Sequence, residues 1–282
     1  MCEILIPIVL RASITLMVFA LGLRVSISET THLLRKPALL ARSILSLNIV
    51  MPLCAMALVA IMNLDRTVTV ALIGLSISPV PPLLPIKQLK AGGGSSFIFS
   101  LLAIEAVLAI LFVPISVEIF NLAFSSNAQA SPAAIASVVL LTILAPMGAG
   151  VLGRHAAPVF AGRIGKPVSI FAAVLLAGSL IPILIVAMPT VISLIGNGTL
   201  AAITAFTVTG LAAGHIFGGP KPENRTVLAL SSASRHPGIA MSIASAGLSD
   251  ERLLLAALLL YLIVNALVSV PYVVWRRRTN FQ

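Results

Sequence analysis

The chain has 282 residues, of which 59% are hydrophobic and only 9% charged, with a mean hydropathy of +1.12. So few charges cannot coat a soluble globule, and the apolar residues fall in runs of about 20, the length that crosses a bilayer. The composition excludes a soluble domain and points to a polytopic membrane protein. The formal net charge of +10 then reports loops on the cytoplasmic side rather than a nucleic-acid partner.

The apolar runs lack strict period-2 alternation, so they read as helices, not strands. Nine spans are expected, at 4–23, 38–62, 68–86, 96–122, 132–153, 167–190, 199–219, 226–248 and 253–275. The first holds Arg11 and is followed by no A-x-A-like site, so it is not read as a cleaved signal. Arg11 itself can snorkel or pair. The second carries Asn48 ahead of Met51-Pro52, placed to bond across helices. The third contains "SPVPPLLP", residues 78–85, with Ser76 and Ser78 leading into Pro79, Pro81, Pro82 and Pro85. Four prolines in that space cannot sit in one straight helix, because each lacks a donor and crowds the preceding turn. Lys87, Lys90 and "AGGG" (91–94) follow as a cytoplasmic loop; they lack the spacing of a phosphate-binding P-loop.

The fourth span buries Glu105 in "SLLAIEAVLAILF". The seventh ends near His215, at the interface. The eighth reads "SSASRHPGIA" (231–240): Ser231, Ser232, Ser234, Arg235 and His236 lead into a break at Pro237-Gly238. Counted from Ser96 and Thr226, Glu105 and Arg235 both lie nine residues in, or about 14 Å along a helix. At that depth an unpaired charge costs several kcal/mol, so such residues pair or line a cavity. Glu105 and Arg235 are therefore expected to be neighbours. Three roles stay open: a structural ion pair, a proton site at Glu105, or an anion site at Arg235, whose planar fork suits that task.

Loop charges give the orientation. Arg24, Arg35, Lys36, Lys87, Lys90, Arg154, Arg163, Lys166, Lys221, Arg225 and Arg276 to Arg278 share one side, and only Arg66 and Arg252 lie on the other. The rule that cytoplasmic loops are basic puts the N-terminus outside and the C-terminus inside. Spans 1–4 (residues 1–123) align as an inverted repeat with spans 6–9, within a second half (132–278) that adds the unpaired span 5, all in one membrane domain. Broken helices at corresponding places are the signature of a transporter site. Cys2 and Cys54 form no metal spacing, so no metal and no cofactor is expected.

Three stretches carry a resemblance. "LGLRVSISETTHLLRKPALLARSILSLNIVMPL", "SPVPPLLPIKQLKAGGG" and "RTVLALSSASRHPGIAMSIA" resemble corresponding regions of the bile acid:sodium symporter family over most of the chain. The resemblance implies an all-α fold of panel and core domains, two discontinuous helices crossing in the core, and nine passes as in the animal members. It also places Ser231 where the family has a sodium-binding glutamate, Arg235 at its glutamine and His236 at its asparagine. Leu84 and Pro85 stand at its Ser-Asn pair, and Ile98 and Leu102 at its Ser and Thr ligands. Hydrocarbon, proline and a cation replace the oxygens, so sodium coupling is not expected; a proton or exchange is the alternative.

The expected function is secondary transport of a small organic anion or amphipathic solute in the bacterial inner (plasma) membrane. Arg235, His236, Ser231, Ser234 and Ser78 are the expected substrate residues, and Glu105 with Arg235 the coupling residues. The partners are that solute and the lipid bilayer, with no nucleic acid. The rivals are a sodium symporter with an altered site, a sensor or channel of the same fold, an arsenite exporter (lacking a cysteine in either break) and an intramembrane enzyme (lacking paired carboxylates).

Overall fold

The structure, a computed structural model, describes residues 2–124, 132–196, 198–244 and 251–280. Among the described residues every regular element is helical. We number the principal helices α1 (Cys2–Gly22), α2 (Pro37–Ile61), α3 (Arg66–Ile77), α4 (Leu84–Lys90), α5 (Ser95–Phe124) and α6 (Ala133–Ala156). Then follow α7 (Pro158–Ser193), α8 (Thr199–Phe217), α9 (Pro222–Ala233), α10 (Pro237–Ala244) and α11 (Glu251–Asn280). Six of them, α2, α5, α6, α7, α8 and α11, are long and apolar enough to cross a membrane. The chain is an all-helical polytopic membrane protein. The C-terminal end of the expected eighth span, 245–248, lies outside the described residues.

Lipid offers no water to hydrogen-bond the backbone, so the outer helices satisfy their own amides and turn hydrocarbon outward. α7 turns hydrocarbon outward along most of its length, although Pro167, Pro182 and Pro189 interrupt its ladder. Val159, Phe160, Ile170, Phe171, Val174, Ile181, Ile185 and Val186 are exposed along it. α7 packs on α1 and α6, and α6 packs on α1.

Helices inside approach more closely, and small residues permit it. A Cβ on Gly210 of α8 would fall 2.6 Å from the Ala233 Cα, and one on Gly214 would run into the Leu228 carbonyl of α9. This glycine face seats α8 directly against α9. On the other side of the core, Gly74 of α3 meets Ala240 of α10.

Two interruptions lie between these contacts. α3 stops at Ile77, Ser78 is extended (ψ 148°), and helix resumes only at Leu84. α9 stops at Ala233, Ser234 is extended (ψ 125°), and helix resumes at Pro237. Ser78 and His236 each precede a proline, which disfavours the helical region at the residue before it. The prolines divide the labour. Pro79, Pro81 and Pro82 sit in the unwound stretch, whereas Pro85 occupies the first turn of α4 and Pro237-Gly238 open α10. At those starts the missing N–H of Pro85 and Pro237 costs the new helix no bond of its own, so Pro85, Pro237 and Gly238 also begin the helix that follows each break.

Candidate functional site

A proline has no N–H and leaves a carbonyl without its helical partner, and three such carbonyls build the site. The Ser78 carbonyl would pair with residue 82, and the Ala233 carbonyl with residue 237; both are prolines. A third arises in α2, where residues Leu45–Val50 form a π-helical turn. In its wider register the Leu47 carbonyl faces residue 52, again a proline.

Arg235, only 2% exposed, collects two of these freed carbonyls. Its Nη1 donates to the Ser78 carbonyl at 3.0 Å and its Nη2 to the Leu47 carbonyl. The third, Ala233, accepts from the Tyr261 hydroxyl at 2.8 Å and the Asn265 amide at 2.5 Å, both on α11. Tyr261 in turn accepts from the Arg235 backbone N–H at 2.7 Å, and Asn265 accepts from the Ser234 hydroxyl at 3.2 Å. The two unwound stretches also touch backbone to backbone: the His236 N–H donates to the Pro79 carbonyl at 3.0 Å. They meet at this point, with α3 packed on α10 and α4 on α9.

Glu105 is buried to the same degree. The hydrogen bonds assigned to it come from Asn48, whose amide nitrogen lies 3.2 Å and 3.3 Å from the two carboxylate oxygens in the orientation that avoids oxygen facing oxygen. Among the described residues no hydrogen bond joins Glu105 to Arg235. The two charges lie within electrostatic reach and are linked through adjacent positions of the π turn, Leu47 holding the cation and Asn48 the carboxylate. That turn is the bridge.

The serines are largely occupied. Ser76 and Ser78 donate to carbonyls of their own helix at 2.7 Å and 2.8 Å. Ser231 accepts from the Gln88 amide at 2.8 Å, and Gln88 also reaches the Val227 carbonyl at 2.9 Å, tying α4 to α9. Ser232 meets Ser46 of the π turn at 2.7 Å. His236 uses Nδ1 to cap α10, accepting from the N–H groups of Gly238 and Ile239 at 3.1 Å and 3.3 Å. Its proton therefore belongs on Nε2. Among the described residues that Nε2 and the Arg235 Nε are buried without a hydrogen-bond partner. Each of these two donors can bind an anion's oxygen.

Other residues lie apart. Arg11 is exposed on α1. His215 shares a hydrogen bond with Tyr272 at 2.9 Å and stacks near Trp275, an interfacial aromatic group. Cys54 is a free thiol, and no cluster of three metal-ligating side chains occurs among the described residues. Leu84, Ile98 and Leu102 are buried among hydrophobic side chains.

Sequence reasoning missed Gln88, Tyr261, Asn265 and the Leu47 carbonyl. Tyr261 and Asn265 stand four apart in an apolar run, which puts them on one helix face, and that was a usable signal. Gln88 was masked by its flanking Lys87 and Lys90, which mark a loop.

A family model described as the Sodium Bile acid symporter family matches residues 12–197. The chain belongs to this family. No curated protein matches it. The symporter family is one of membrane transporters, not enzymes, and points to organic anions as cargo. The matched stretch includes the first break, Asn48 and Glu105, and ends before the second break, where Arg235 and His236 lie.

Proposed function

We propose that the chain is a secondary active transporter of a small organic anion or amphipathic solute that works by alternating access without sodium. The observation that carries this is the guanidinium of Arg235, which donates to backbone carbonyls at the meeting of two unwound helices. Unwound carbonyls are the groups with which broken-helix transporters hold coupling cations. Here a covalently fixed cation occupies one of them, the Ser78 carbonyl, together with the Leu47 carbonyl of the π turn, and the positions that the family resemblance assigns to sodium ligands carry Leu84, Pro85, Ile98 and Leu102. Glu105 is the counter-charge, and either its protonation or simple exchange balances the cycle. The substrate's acidic group takes the two free donors, Arg235 Nε and His236 Nε2, once the core moves to admit it. Ser231, Ser234 and Ser78 shape that place by holding the crossing together.

The architecture in this reading has nine passes: the six long helices, α1, and the broken pairs α3/α4 and α9/α10. α1 to α5 (the first half, about 1–123) answer α7 to α11 as an inverted repeat, with α6 unpaired in the second half (about 132–278). α1, α6 and α7, which pack on one another, form the panel, and the core carries the crossing. The protein sits in the bacterial inner membrane, and the basic loops favour an N-terminus outside and a C-terminus in the cytoplasm.

Reconstituted vesicles test it. Counterflow of labelled taurocholate, as an amphipathic probe, and pyruvate, as a small one, is measured in sodium and in potassium medium, with and without a proton gradient. Transport of either probe that persists in potassium is the expected result. Strict dependence on sodium overturns the fixed-cation reading, and no saturable transport of either probe overturns the carrier reading for organic anions.

A further inference from the structure

At the end of the molecule where the basic loops gather, a pocket of about 330 Å³ opens between α4 and α11. Its lining is Leu83, Ile86, Lys87 and Lys90 from the first crossing segment and Val273 and Arg277 from the last helix. Three of the six residues are cations and none is acidic. The remaining three are hydrocarbon. Lys87 is half-buried, while Lys90 and Arg277 are exposed, so the charge is graded from wall to mouth. The pocket is also a built feature, because the Arg277 Nε donates to the Lys90 carbonyl at 2.7 Å and pins the end of α11 against the last turn of α4. The next arginine along, Arg276, is turned the other way, donating to the Thr226 hydroxyl and the Pro222 carbonyl on α9.

Like charges gathered in this way repel one another unless an anion joins them. Lys is a point donor to phosphate and Arg a bidentate one, and together they suit a phosphodiester. The apolar wall of Leu83, Ile86 and Val273 suits methylenes next to that phosphate. Basic pockets between helices at the cytoplasmic face are where anionic lipid headgroups lodge. We propose that this pocket binds the headgroup of an anionic phospholipid of the cytoplasmic leaflet, bridging α4 to α11. The leaflet follows from the orientation proposed above; the pocket itself does not depend on the transport mechanism.

Native mass spectrometry of the detergent-purified full chain, titrated with equal amounts of phosphatidylglycerol and phosphatidylcholine of the same acyl chains, tests this. The first lipid adduct is expected to be enriched in phosphatidylglycerol by about tenfold or more, given the attraction contributed by each of three basic residues. The enrichment should vanish in the Lys87→Gln/Lys90→Gln/Arg277→Gln variant. It should survive in Lys87→Arg/Lys90→Arg, which keeps the charge and shows that the result does not come from misfolding. Equal binding of the two lipids by the wild type, or undiminished preference in the Gln variant, overturns the proposal. So does loss of the preference on adding millimolar glycerol 3-phosphate, because the pocket would then belong to a soluble phosphate. Failure of the vesicle transport assay leaves all of these outcomes readable.

Discussion

α7 and the α9/α10 crossing are opposites. Past Arg163 and Lys166 near its start, α7 is apolar all round and mostly exposed, only 11% of its membrane-length window being buried against the rest of the chain. The α9 segment and the linker to α10 bury Ser231, Ser232, Ser234, Arg235 and His236. In water this arrangement would be inside out. In lipid the solvent is as apolar as leucine, so hydrocarbon gains little by hiding, whereas every polar group must find a protein partner. The consequence is that sensitivity to mutation should follow polarity and close packing, not hydrophobicity.

The largest contrast is at the centre. Arg235→Leu leaves Glu105 buried without its cation and frees two carbonyls, which should cost about 3–5 kcal/mol of stability. A melting point of the detergent-solubilised variant close to wild type would erase the contrast. Gly214→Val comes next: its side chain would overlap the α9 backbone at Leu228, and a cost of about 1–3 kcal/mol or more is expected from overpacking. Thermal unfolding monitored by circular dichroism reads both. Asn48→Leu removes the donor that faces the Glu105 carboxylate, with an expected loss of about 1–3 kcal/mol and a larger proportional loss of transport. If transport falls only as far as the folded fraction does, the bridge through the π turn is structural alone. By comparison, Val186→Ala on α7, where the side chain is 81% exposed, should stay within about 0.5 kcal/mol.

The smallest effect lies outside the membrane. Glu29 is desolvated by partial burial, which raises its pKa. That is outweighed by donation from the Ser26 backbone N–H (2.8 Å) and the Ser95 hydroxyl (2.8 Å), helped by the Ser26 hydroxyl and the charge of Arg154, so its carboxyl sits below the usual 4.5. A depressed carboxylate contributes stability above its unfolded value that is lost as pH falls through the folded one. Glu29→Gln should therefore be slightly less stable than wild type at neutral pH, by well under about 1 kcal/mol after solvent screening. The difference should close below pH 4.5. An unchanged gap at low pH would show that the group contributes no ionisation-linked stability.

Some of the site was legible because its residues are conspicuous in an apolar chain. Glu105, Arg235 and Asn48 are polar letters in hydrocarbon runs, and the structure brings them into one buried region. The intermediary was not legible. A backbone carbonyl has no letter, so the Leu47 acceptor could be inferred only from Pro52 together with a π register that the sequence does not announce. The expectation that Glu105 and Arg235 are neighbours counts only side chains as partners; the freed carbonyls compete for the guanidinium and hold it. Pro85 and Pro237 show the same limit: a proline marks a helix end in sequence, but whether it ends one helix or begins the next depends on which side the chain turns.

What the sequence by itself determined is the class of solvent and the places where helices stop. Run length, missing charges and clustered prolines act locally, through hydration and backbone geometry, and need no partner. The tertiary structure alone decided which orphaned acceptors the buried cation would satisfy, that His236 would cap α10 with one nitrogen and leave the other free, and that Gln88 would lock α4 to α9. Those outcomes depend on which helices pass close to one another, and a hydrogen bond between distant segments exists only once packing has brought donor and acceptor within about 3 Å.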